Sequence, residues 1–118
     1  MAKSGKRSLS FWLSGKKDGR EGRFIQIGNS LLLSKDFQHL GYGARQLYFC
    51  MAMEAGGARE FVFPRATAGK YGFSWSTAYP LIKTLIDAGY IELVSSGKSI
   101  REANRYRFCF GWKERAKL

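Results

Sequence analysis

The clearest periodicity in the chain runs through Ala78, Leu81, Ile82, Leu85 and Ile86, which recur at three- and four-residue spacing and make the one-sided stripe of an amphipathic helix. Gly89 ends it, and Ser74 or Ser76 can cap its start by accepting a bond from an otherwise unpaired N–H. A second helical pattern covers Ala44 to Ala55, with Ala44, Leu47, Tyr48, Met51 and Ala55 on one side and Gly56-Gly57 as its stop. Its other side carries Phe49 and Met53, so this helix needs two apolar partners. One is the domain core; the other is either the leading segment folding back or a second copy of the chain. Between the two helices lie a short strand, Glu60 to Phe63, and a short helix entered at Pro64 and running through Tyr71. Gly72-Phe73-Ser74 is the turn. After Gly89 the period changes to two. Ile91 to Val94 is a strand, 95–104 a polar loop, and Arg105 to Phe110 a strand with Tyr106, Phe108 and Phe110 on one face and Arg105 and Arg107 on the other. Arg107 is placed to pair across this hairpin with Glu92.

The first part of the chain is less regular. Phe24 to Ile27 reads as extended, Gly28-Asn29 as a turn, and Ser34 as the cap of a short helix through Leu40 with Asp36 in its first turn. Residues 1–23 hold seven basic side chains against two acidic ones, a net +5, and four glycines break any period. They are expected to form a basic, at least partly flexible arm ahead of a domain spanning 24–118. Phe11, Trp12 and Leu13 interrupt the arm as a cluster able to dock.

Charge changes this picture from a fold to a class of partner. Twenty Lys and Arg stand against nine Asp and Glu among 118 residues, a net +11, which predicts attraction to phosphate. At 45% apolar residues the chain can bury a core of its own. No apolar run approaches the roughly 20 residues needed to span a bilayer, and the N-terminus lacks the continuous apolar segment of a signal peptide. Cys50 and Cys109 lie in apolar stretches without metal-ligand spacing and read as buried thiols, which fits a reducing cytoplasm. His39 is alone and reads as a structural or surface histidine. No catalytic motif, phosphate-binding glycine loop, metal constellation or cofactor signature is found, so the expectation is a non-enzyme with no cofactor and no evident small-molecule ligand.

The functional signal lies in spacing. Ala68 is small, Gly72 follows four residues later at the turn, and Phe73, Ala78 and Leu81 supply apolar anchors. A tight helix–helix crossing needs all three features. With the basic hairpin behind it, the order predicts an α+β winged helix-turn-helix: a three-helix core, a small antiparallel sheet and a wing, preceded by the basic arm. The stretch ARQLYFCMAMEAGGAREFVFPRATAGKYGFSWSTAYPLIKTLIDAGYIELVSSGK, with NRYRF beyond it, resembles winged helix-turn-helix DNA-binding domains of bacteria, phages and mobile elements. It is similar in particular to short domains found beside replication and transfer functions. The likeness covers roughly Ala44 to Phe110, its most telling pieces being KYG and LIDAGYI. It implies a recognition helix at about 74–89 and a wing at 95–104.

On that helix, projection points Ser76 and Lys83 outward, flanked by Thr77 and Tyr79, with Ser74 at the start. These residues can meet base edges or phosphates. Lys98, Ser99, Arg101 and Arg105 of the wing, and Arg65 and Lys70 of the preceding helix, are candidate backbone contacts. Trp75 projects to the edge of the core and reads as a packing residue. Pro80 departs from the pattern, since a proline in a helix interior costs about 3 kcal/mol; it projects away from the apolar stripe, and a start near Ser76 would bring it close to the first turn. The leading expectation is double-stranded DNA binding by a small transcriptional regulator or a replication or transfer accessory factor. It competes with a winged-helix protein-interaction module and with non-specific nucleic-acid binding through the arm. Phe49 and Met53 are the candidate surface for a homodimer or for arm docking.

Overall fold

A computed structural model describes residues 13–18, 22–96 and 103–111. The chain is α+β. Among the described residues it has five helices, a two-stranded sheet and a three-stranded antiparallel sheet. Strands β1 (Leu13–Asp18) and β2 (Gly22–Ile27) pair in antiparallel register, Leu13 opposite Ile27. Helices α1 (Asn29–Leu32) and α2 (Lys35–Gln38) follow, and the Ser34 hydroxyl caps α2 by accepting from the Phe37 N–H. Then come α3 (Tyr42–Ala55), β3 (Glu60–Val62), α4 (Arg65–Lys70), α5 (Trp75–Asp87), β4 (Ile91–Ser95) and β5 (Arg105–Phe108). Strand β5 lies between β3 and β4.

Three departures from the sequence expectation have physical causes. The turn expected at Gly28-Asn29 instead opens a helix, because the Gly28 carbonyl accepts the first backbone bonds of α1, and of Leu31, Leu32 and Leu33 only Leu31 is inside. Strand β5 stops at Phe108, and Phe110 instead stacks under the Arg59 guanidinium, 4.9 Å from the ring centre. The boundary expected at Arg23 falls inside β2, so a hairpin joins residues on both sides of it. Among its described side chains, Leu13 of β1 is fully buried, and Ile25 and Ile27 of β2 pack against the core, which holds the hairpin down. The rest of the expected arm, residues 1–12 and 19–21, lies outside the described residues.

Helix α3 sits at the centre. Leu47, Tyr48, Met51 and Ala52 have no exposed surface at all. The β1–β2 hairpin, α2, β3 and α5 all pack against it, so the second partner its sequence requires is the leading segment folded back. Tyr48 gathers the aromatic core, with edge-on contacts to Phe37, Tyr90 and Phe108 at ring distances of 5.7, 5.6 and 5.6 Å. Rings at these angles gain from quadrupole alignment beyond their buried area. Phe49, half-buried, rests on Phe37 at 5.6 Å. At the other end Gly43 lets α5 approach, since a Cβ there would lie 3.3 Å from the Leu81 side chain.

The α4–α5 turn follows from Gly72, whose φ of +91° is a conformation that other residues adopt only with strain. It lets the Phe73 N–H reach back to the Ala68 carbonyl at 2.9 Å and close α4. Ala68 and Ala78 are both fully buried, the small pair expected where two helices meet. Ser74 then caps α5 by accepting from the Thr77 N–H.

Leu13→Ala removes the hairpin's buried anchor and is expected to cost about 2–5 kcal/mol in urea unfolding, as for other fully buried leucines. A loss below about 0.5 kcal/mol would mean that the hairpin does not pack as described.

Candidate nucleic-acid interface

Helix α5 sorts its residues by burial. Ala78, Ile82 and Leu85 are buried, Leu81 and Ile86 partly so, while Ser76, Thr77, Tyr79, Pro80 and Lys83 face solvent with Asp87 further on. The outward positions assigned from the sequence are therefore outward, and no described residue of the β1–β2 hairpin or of the sheet covers them. Ser74, Ser76 and Thr77 form a hydroxyl cluster at the helix start: Ser74 Oγ lies 3.2 Å from Ser76 Oγ and donates to Thr77 Oγ1 at 3.1 Å.

The helix begins at Trp75, one residue before Ser76, and Pro80 falls in its second turn. It is nevertheless tolerated. Pro80 lacks the N–H that would bond the Ser76 carbonyl, but both residues are exposed, so water can satisfy that oxygen. The Pro80 carbonyl is used in turn, accepting from Thr84 Oγ1 at 3.1 Å.

The basic candidates divide into two groups. Lys83, Arg65 and Arg105 are exposed, with the Arg65 guanidinium 6.0 Å over the Trp75 ring. Lys70 is instead tied to Glu54 at 2.9 Å, and the same carboxylate accepts from the Tyr71 hydroxyl at 3.0 Å. These contacts join the end of α3 to the end of α4. Arg23, counted in the sequence with the basic arm, caps α3: its Nη1 donates to the Met53 and Glu54 carbonyls at 3.1 and 2.6 Å. A cation there complements the negative end of the helix dipole. Arg107 bridges Glu92 and Glu60 on the outer face of the sheet, as the cross-strand register allows. Lys98, Ser99 and Arg101 lie outside the described residues. Phe49 and Met53 are both half-buried, and Phe49 packs on Phe37 of α2, which leaves little of it as an open surface.

Titration follows these contacts. Lys70 beside it lowers the Glu54 carboxyl below its ordinary range, with help from the Tyr71 hydroxyl. Burial, and then the Glu54 carboxylate, push Tyr71 up to about 12. Burial raises both Cys50 and Cys109, so neither is a ready thiolate. Among the described residues no group of three His, Cys, Asp or Glu side chains could hold a metal, and no helix is long and apolar enough to cross a membrane.

Sequence reasoning missed two features. Glu54 has no local partner to mark it, because Lys70 and Tyr71 reach it only through the fold. A groove between the start of α5 and the start of β5 was also missed; its walls are Phe63, Pro64, Trp75 and Tyr106, with Arg65 and Asn104 at the rim. Those residues come from three separate segments. Comparison with protein-family models, curated proteins and solved structures finds no match for this chain.

The Glu54 contacts set a pH dependence with a defined sign. A carboxyl whose pKa is lowered by folding leaves the unfolded chain holding more protons between the two pKa values, so stability rises with pH there. The contribution is complete above the unfolded value of about 4.3 and is lost as pH falls through the folded one. Glu54→Gln is expected to cost about 1 kcal/mol at neutral pH. Thermal melts of the two proteins should converge on acidification toward the folded pKa of Glu54. A gap that persists unchanged in acid would assign the loss to packing instead.

Proposed function

We propose that this chain is a winged helix-turn-helix protein that binds double-stranded DNA, with α5 as the recognition helix and the β4–β5 connection as the wing. One observation carries the reading. The N-terminal half of α5 presents Ser76, Thr77 and Tyr79 outward, with Lys83 exposed one turn further on, while Arg65 at the start of α4 and Arg105 at the start of β5 stand exposed on flanking elements. In this reading the helix enters the major groove, hydroxyls and Tyr79 meet base edges or phosphates, and the flanking cations hold the backbone.

Charge placement supports it against a protein-interaction module. Glu54, Glu60 and Glu92 are each engaged by a cation. Lys70 offsets Glu54, and Arg107, shared by Glu60 and Glu92, offsets one charge of that pair, so the three carboxylates together leave a net charge of only −1. Asp87 sits at the far end of α5, more than a dozen residues from the Ser74 cap, where it would lie away from the groove. The net +11 of the chain adds a long-range attraction that any basic arm shares. The biological role that fits is a small regulator, or a replication or transfer accessory factor, of a bacterium or mobile element.

Duplex binding should weaken steeply with salt, and Lys83→Gln should reduce the slope of log K against log salt by about 0.9, the share of one phosphate contact. Fluorescence anisotropy on a labelled duplex at several salt concentrations reads both. Absence of duplex binding at low salt, or an affinity indifferent to salt, would sink the reading. A wild-type slope retained in Lys83→Gln would remove α5 from the interface and favour the arm.

A further inference from the structure

The groove beside Trp75 has a shape and chemistry that major-groove docking does not use. Its volume is about 500 Å³, within the range of small-ligand sites. Phe63 and Tyr106 are buried beneath it, and Pro64 and Trp75 form flat apolar walls. The polar groups at its rim are the Arg65 guanidinium and the Asn104 amide, whose Nδ2 donates to the Tyr106 hydroxyl at 3.3 Å. No carboxylate is among its described lining residues. An occupant must therefore be flat, largely aromatic and anionic, with an edge that an amide can read.

Resting on the DNA-binding reading, we propose that this groove holds one unpaired nucleotide of a DNA strand, its base on the Trp75 ring and its phosphate drawn to Arg65. Inside a duplex both faces of a base are covered by its neighbours, so only an unpaired or extruded one can present a face to an indole. The spacing is suited to this. Arg65 Cζ lies 6.0 Å above the Trp75 ring, at the outer limit of a direct cation–π contact. Bases stack about 3.4 Å apart, so a ring inserted between guanidinium and indole needs about 7 Å, reached by a small swing of the exposed arginine. The Asn104 amide, which already donates to Tyr106, would exchange that contact for one to a base edge. The groove also opens between the start of α5 and the start of β5, the two elements assigned to the duplex, so a base leaving that duplex would meet it first.

The test compares two labelled duplexes of one sequence, perfectly paired or carrying a single unpaired thymine, with thymidine monophosphate as competitor. The wild type is expected to bind the bulged duplex roughly tenfold more tightly, a difference of about 1.4 kcal/mol. Trp75→Phe should keep that preference. Trp75→Leu should reduce it to less than threefold while still binding the paired duplex; Arg65→Ala, which also loses a backbone contact, should weaken both duplexes but bring the ratio between them below threefold. Arg65 is exposed, so its variant tests the groove even if Trp75→Leu unfolds. Equal affinity of the wild type for the two duplexes overturns the proposal and leaves duplex binding standing. So does a preference that survives Arg65→Ala, or competition by the mononucleotide at concentrations where the bulged duplex competes, which would mark a free-nucleotide site. If neither duplex binds, the DNA-binding reading falls and this proposal with it.

Discussion

Helix α3 cannot leave either broad side in water. Leu47, Tyr48 and Met51 face the helical core, and Cys50 and Ala52 are buried as well, so a helix of 14 residues has only a narrow polar margin near Arg45 and Gln46. A helix apolar on two sides forces layers to form on both. On one side this recruits α5 and the sheet through the Tyr48 aromatic cluster. On the other it recruits the β1–β2 hairpin, which on its own would be at best marginally stable in water. The position of α5 is a consequence. Leu81 rests against Gly43 at the start of α3, and Ala78, Ile82 and Leu85 are driven inward, so Ser76, Thr77, Tyr79 and Lys83 are left outside. The surface offered to a partner is what remains after α3 has been covered.

Polar contacts then fix the angles between layers that apolar burial would leave loose. Arg23 fastens β2 to the end of α3 through two carbonyls, and Glu54 fastens that same end to α4 through Lys70 and Tyr71. Both sets of contacts meet where α3 stops at Gly56, whose φ of +62° ends the helix and whose missing Cβ leaves room for the Arg23 guanidinium. The arrangement has an electrostatic by-product. Nine acidic residues in a chain of net charge +11 are few, and three of them are spent on cations that serve the fold. Cations elsewhere on α4, α5 and β5 keep their positive field.

What could be read from the sequence was what depends on neighbours in the chain. The α5 stripe, the Ser34 and Ser74 caps, the Gly72 turn and the Arg107–Glu92 pairing each rest on residues close in sequence or on one hairpin register. The hairpin at Leu13 was hidden because Ser14, Gly15, Lys16, Lys17 and Asp18, which follow the apolar cluster, show none of the alternation that marks a strand. The Lys70–Glu54 pair was hidden for a different reason: the sequence shows two exposed helix ends, and only the turn of the chain at β3 brings them together. The Trp75 groove combines both difficulties. Trp75 projected to the edge of the core, which is where it lies, half-buried; that an edge position borders an open groove depends on where Asn104 and Tyr106 arrive from 30 residues away.

Pro80 shows how the buried side of α5 governs the exposed one. A proline in the second turn removes a backbone bond and crowds the preceding turn, and in an isolated helix that loss would break the element. Here the helix continues for seven residues past it. The stripe of Ala78, Ile82 and Leu85 is buried along its whole length, and burial of those side chains stabilises the helix regardless of one missing bond on the solvent side. The lost bond belongs to the Ser76 carbonyl, on the side that water reaches, so no buried polar group is orphaned. The geometry of the outward face is thus set by packing beneath it more than by its own hydrogen-bond ladder. It follows that a change at Ile82 or Leu85 would move Tyr79 and Lys83 as surely as a change at those residues themselves.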